Sequence, residues 1–159
     1  MKNEVEKPDD GTLVVRRMLN ATPELAFEAW TSAEHIQQWM RPEPGMSVPL
    51  AKVDLRVGGK YRIQMKKEDG EFFTAVGEFK EVKAPERLVY TWDWEKDGGG
   101  TEFGEVEGKT TVVTVEFFKR GERTEMVLTH SGFATVQSRD GHANGWERIT
   151  ESFADFTEK

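Results

Sequence analysis

Cysteine is absent from the 159 residues, which excludes disulfides, thiolate metal sites and cysteine nucleophiles. Histidine is scarce too. His35, His130 and His142 are the whole supply, little material for a zinc site. No apolar run approaches the ~20 residues that cross a bilayer, and the first residues, MKNEVEKPDDG, have no signal-peptide core. Positive charge is in deficit, with 22 Lys+Arg against 29 Asp+Glu for a net −7, which disfavours nucleic acid as a partner. The expectation is a soluble cytoplasmic protein with no metal, no cofactor, no nucleic-acid partner and no membrane span.

What the chain does have is rings. Ten Phe, five Trp and two Tyr make it 11% aromatic, although only 36% of its residues are hydrophobic. Each such ring buries on the order of 150–250 Å², so much of the apolar area is concentrated in a few side chains. The length suits one domain, which ordinarily spans roughly 100–200 residues.

Residues 1–11 are polar and read as an N-terminal tail, leaving 12–158 as the domain. Thr12–Leu19 is β-branched and apolar enough for a first strand. Thr22 followed by Pro23 and Glu24 opens a short helix through Trp30. Thr31 with Glu34 reads as a capping box for a second short helix carrying Ile36, Trp39 and Met40. Arg41–Pro49, with its prolines and Gly45, is expected to be loop.

The period then changes to two. Tyr61, Ile63 and Met65 alternate with polar residues, Glu68-Asp69-Gly70 signals a hairpin, and Phe72–Val82 is the next strand, its faces hard to tell apart. Leu88, Tyr90, Trp92 and Trp94 share one face of another strand. Residues 96–109, Gly-rich and acidic, read as a long hairpin loop. Val113, Val115 and Phe117, then Met126, Leu128 and His130, mark the last two strands about Arg120-Gly121-Glu122. Trp146, Ile149, Phe153 and Phe156 return to helical spacing, predicting a helix over about 137–158. The fold class is therefore α+β: a curved antiparallel sheet of about seven strands, two short helices after strand 1, and a long C-terminal helix over its apolar face. One helix about 10 Å across cannot cover so curved a sheet, so rings must fill the remaining volume or line a pocket.

Several segments resemble the SRPBCC superfamily with the START-like, helix-grip fold, and within it the branch homologous to the C-terminal domain of the activator of the 90-kDa heat-shock protein ATPase. They are Ala26–Thr31 with Trp39, Asp54–Tyr61, Gly77–Phe79, Pro85–Trp92, Thr129–Phe133 and His142–Trp146, collinear over about residues 12–157. The residue after Trp39 is Met40, where many relatives carry another aromatic. The resemblance implies the fold, and ligands that differ from member to member.

Candidate chemistry falls into a few groups. GEVEGKT (Gly104–Thr110) has only three residues between its glycines and is acidic, so it is not a phosphate loop. Asn20-Ala21-Thr22 is formally a glycosylation sequon but reads as a helix cap. Asp54, Glu78 and Asp93 are candidates for a carboxylate pair in a cyclase- or dehydratase-type enzyme, but solvated strand positions explain Asp54 and Asp93, and no nucleophile, base and orienting group can be assembled. His130 is either a hydrogen-bonded core histidine or a polar group orienting a ligand, with acid–base work a third option. The strongest candidate is a ring-lined ligand site built from Trp30, Trp39, Tyr61, Met65, Tyr90, Trp92, Phe117, His130, Trp146, Ile149 and Phe153. Arg41–Pro49 is positioned to gate it. The expected function is binding of a small hydrophobic or aromatic molecule without covalent chemistry. A co-chaperone-like module stimulating a chaperone ATPase and a cyclase- or dehydratase-type enzyme on polycyclic substrates are the alternatives. Both monomer and homodimer fit.

Overall fold

The computed structural model describes residues 2–95 and 110–158. The expected hairpin loop over 96–109 and the GEVEGKT stretch therefore lie outside the described residues, save Thr110. Along the chain run β1 (Glu4–Glu6), β2 (Leu13–Leu19), α1 (Pro23–Thr31), α2 (Ala33–Trp39), β3 (Ser47–Val53), β4 (Lys60–Lys66), β5 (Phe72–Lys83), β6 (Arg87–Trp94), β7 (Thr111–Arg120), β8 (Arg123–Ser131) and α3 (Val136–Thr157). The strands form one antiparallel sheet in the order β1-β2-β8-β7-β6-β5-β4-β3. Hairpins link β3 through β8 as neighbours, whereas α1 and α2 carry the chain from β2 to the far edge.

The local signals explain most of this. Tyr61, Ile63 and Met65 are buried on alternate positions of β4, as are Leu88, Tyr90 and Trp92 on β6. On β5 the alternation breaks because the register slips between Phe79 and Glu81, so residues on either side of the bulge face differently. This is why its faces could not be separated by period. Thr22 caps α1, its hydroxyl accepting from the Leu25 N–H at 3.2 Å. The cap of α2 is Ser32, not Thr31: the Ser32 hydroxyl accepts from the His35 N–H, while Thr31 ends α1 and donates to the Phe27 carbonyl.

The sheet, expected at about seven strands, has eight among the described residues. Two further expectations are corrected. The loop after α2 stops at Met46, since Ser47–Val53 pairs with β4 and tolerates Pro49 at a register shift on the sheet edge. The N-terminal segment is not a loose tail. Glu4–Glu6 pairs with β2, and the Asn3 side-chain amide donates to the Glu147 carbonyl of α3 at 2.9 Å. The Arg139 guanidinium likewise donates to the Pro8 carbonyl at 3.1 Å. These tertiary partners lie in α3, far along the chain, so polarity alone could not reveal them.

Helix α3 crosses the concave face. Trp146, Ile149 and Phe153 are buried there, while Phe156 is half-buried. His142 meets Trp94 of β6, and Glu151 meets Arg17 of β2 at 2.6 Å. A helix gripped by a sheet that bends around it defines the space in which function must be sought.

Candidate functional site

All eleven side chains expected at the site are buried in one continuous core, none more than 5% exposed. Trp92 from β6 and Trp146 from α3 meet with ring centroids 5.0 Å apart. Trp30 stacks on Trp146 at 6.2 Å and lies 4.5 Å from Trp39, and Phe153 sits edge-on to both Trp30 and Trp39. The rings have largely filled the hollow between sheet and helix. Among the described residues the space between sheet and helix includes two narrow apolar crevices, one of about 20 Å³ and one of about 10 Å³, each room for about one water.

The first crevice is walled by Trp30, Tyr61, Tyr90 and Trp92 of the expected set, joined by Ile36, Met40, Ile63, Phe79 and Leu88 among others. The second is walled by Met65, Trp92, Trp146 and Ile149, with Pro42, Trp94, His142 and Gly145. Trp92 belongs to both. Trp39, Phe117, His130 and Phe153 border neither and serve as packing behind the walls. Phe79 was missed because of the β5 bulge. His142, four residues before Trp146 on the same face of α3, reads from the sequence as structural more than ligand-binding, and Gly145, one turn before Ile149, was missed because it has no side chain to mark the stripe. Pro42 comes from the segment expected to gate the site and lines the second crevice, while Met40, the C-cap of α2 just before that segment, lines the first.

A glycine holds Tyr61 in place. A Cβ on Gly77 would overlap the Thr91 carbonyl and lie 2.6 Å from the Tyr61 ring. That empty space lets the Tyr61 hydroxyl reach across β5 and donate to the Thr91 carbonyl. Gly77→Ala is therefore expected to lower stability by about 1–3 kcal/mol, the usual cost of overpacking. Urea denaturation checks this, and an unchanged midpoint would contradict the close approach.

His130 and His142 are fully engaged through both ring nitrogens. The Trp146 indole N–H donates to His130 Nδ1 at 2.9 Å. Thr111 spends its hydroxyl proton on the Trp92 carbonyl at 2.9 Å, so its oxygen accepts from His130 Nε2–H at 2.6 Å. This fixes His130 as the neutral Nε2–H tautomer, and burial, aided by nearby His142, holds its pKa well below the ordinary value. His142 is the opposite tautomer. Its Nδ1–H donates to the Ser138 carbonyl at 2.8 Å, and its Nε2 accepts from the Trp94 indole at 3.0 Å. Burial pushes its pKa down to about 4, partly opposed by the bond to Ser138. His130 is thus the hydrogen-bonded core histidine of the first reading. Burial also raises the Tyr61 and Tyr90 hydroxyls, so both stay protonated near neutral pH.

No carboxylate lines either crevice. Exposed Asp54 pairs with Arg56 at 2.9 Å, half-buried Glu78 pairs with Lys80 at 3.1 Å, and Asp93 lies on the sheet face opposite Trp92. A larger surface groove of about 580 Å³ lies by Pro23, Pro85 and Phe118, but charged side chains crowd it. There Arg87 is bound by Glu81 and Glu116. Among the described residues no group of three His, Asp or Glu side chains could hold a metal ion. No helix of the described chain is long and apolar enough to cross a membrane.

An antiparallel sheet bent around one long C-terminal helix, with two short helices inserted after its second strand, is the helix-grip architecture of the SRPBCC proteins. Residues 20–158 match the family described as "Activator of Hsp90 ATPase homolog 1-like protein", and the chain belongs to that family. Solved structures agree on the fold. A protein from Chromobacterium violaceum superposes with a TM-score of 0.80 at 21% identity, covering 93% of this chain and 97% of its own. An AHSA1 protein from Silicibacter pomeroyi gives 0.77 at 23% identity over 91% of this chain and 95% of its own. An AHSA1-like protein from Aeromonas hydrophila gives 0.72 at 24% identity, covering 91% of this chain and 92% of its own. No curated protein matches the chain.

Proposed function

We propose that the protein binds a small, uncharged hydrophobic or aromatic molecule between the sheet and α3, without covalent chemistry. The observation that carries this is the pair of uncharged crevices divided by one indole, that of Trp92. Rotation of a single side chain joins them into one elongated apolar slot. A segment that begins at the end of α2 closes both, through Met40 and Pro42. Met40, unbranched and polarisable, can move aside more cheaply than the second aromatic ring found there in many relatives. Binding then requires a form in which Trp92 and Met40 have moved aside, and a ligand that binds only that form shifts the population toward it. Its apparent affinity is reduced by the fraction of molecules that are open.

Titration with a graded series of flat apolar probes tests this. The expected result is a saturable change in tryptophan emission together with a raised melting temperature, since a ligand bound only to the folded state stabilises it. Emission and melting temperature that no probe moves would overturn the reading.

A further inference from the structure

The five tryptophans are not equivalent in their hydrogen bonds. Trp30 donates to the Tyr90 hydroxyl at 3.3 Å, Trp39 to the Ala29 carbonyl at 2.9 Å, Trp94 to His142 and Trp146 to His130. Trp92 alone keeps a buried indole N–H with no partner, though its side chain is 97% removed from solvent, being 3% exposed. It is also the residue that borders both crevices. A buried donor left unmet costs about as much as a lost hydrogen bond, so an orphan at a cavity wall calls for an explanation.

Tyr90 supplies a second unspent donor. Its oxygen accepts from Trp30, and its own proton has no acceptor among the described residues, while the neighbouring Tyr61 hydroxyl has committed its proton to Thr91. Two residues of the first crevice's wall, Trp92 and Tyr90, thus hold an unspent N–H or O–H proton, and no charged side chain lines it. Surplus donors in an uncharged apolar wall select a guest that accepts without carrying charge.

We propose that the ligand is a neutral aromatic carbonyl compound, or one with an equivalent uncharged acceptor, whose oxygen takes the Trp92 indole N–H and the Tyr90 hydroxyl proton. The inference rests on the ligand-binding reading above and deepens it by naming the chemical class. A plain aromatic hydrocarbon fills the same space and leaves both donors unmet. An anion fits no better, because nothing in the crevice neutralises it and its desolvation goes uncompensated.

Matched probe pairs test this: 1-indanone against indane, and 9-fluorenone against fluorene, each differing by one carbonyl. Affinities come from calorimetry, and the five indole N–H resonances are followed by ¹⁵N NMR, with that of Trp92 assigned from its loss in Trp92→Phe. The ketones are expected to bind about tenfold tighter than the hydrocarbons. The Trp92 N–H should move downfield with the ketones only, and the preference should collapse in Trp92→Phe and shrink in Tyr90→Phe. Equal binding within each pair, with the Trp92 resonance unmoved downfield by the ketone, overturns the carbonyl assignment and leaves apolar binding standing. Binding by none of the four probes overturns both.

Discussion

Trp146→Ala is expected to destabilise the protein by about 4 kcal/mol or more. Truncating a buried Trp or Phe to Ala ordinarily costs about 3–5 kcal/mol through lost transfer energy and the cavity left behind. Trp146 adds to that. It is the α3 ring that meets both Trp30 and Trp92, so its loss removes the main aromatic contact between helix and sheet. Its N–H is also the donor to His130 Nδ1, and removal leaves that nitrogen buried and unmet. Domains of this kind are stable by only about 5–15 kcal/mol, so the alanine variant stands near the edge of folding. Trp146→Phe keeps a ring and provides the gentler measurement, with a cost expected to be smaller by about 1–3 kcal/mol. Urea midpoints at unchanged m-value are the observable. An alanine variant weakened by less than 2 kcal/mol would mean that the helix is held chiefly elsewhere, for instance through Arg17 and Glu151.

Acid should unfold the protein earlier than its carboxylates alone would require. His142 has a pKa of about 4 when folded, against about 6.5 when exposed in the unfolded chain. Between those values the unfolded state binds one more proton, so stability rises with pH across that window and falls as pH drops from 6.5 toward 4. At 1.36 kcal/mol per unit the contribution lost is about 3 kcal/mol. His130, also shifted down by burial, acts with the same sign. Protonation of His130 breaks the acceptor role that Trp146 requires, and protonation of His142 does the same to Trp94. The check is the difference in unfolding free energy between pH 7.5 and pH 4.5, measured for the wild type and for His142→Phe. The variant is expected to start less stable and to lose less on acidification. Identical pH slopes would show that His142 does not titrate with folding.

Gly77 shows how a short sequence match acquires physical content. Gly77-Glu78-Phe79 stands out in the chain only as a family-like segment, with no role attached to its glycine. In the fold it is the gap through which the Tyr61 ring passes to the Thr91 carbonyl. No one-dimensional pattern shows a ring from one strand lying over the backbone of the next. Trp92 is similar. Its alternation with Leu88 and Tyr90 marks it as inward-facing, but only the completed count of indole partners separates it from the four satisfied tryptophans.

Periodicity and caps were enough to determine most of the element types, the antiparallel sheet under one long helix, and the buried rings between them, though not β1, the start of β3 or the residue that caps α2. Period two and period 3.6 follow from backbone geometry alone, and a residue's neighbours a few positions away disclose them. Tertiary structure alone decided how much space those rings leave, which N–H groups go unmet, and that residues 4–6 join the sheet edge. Free volume and hydrogen-bond satisfaction depend on side chains from β6, α2 and α3 arriving at one point, and such convergence exists only once the chain has folded.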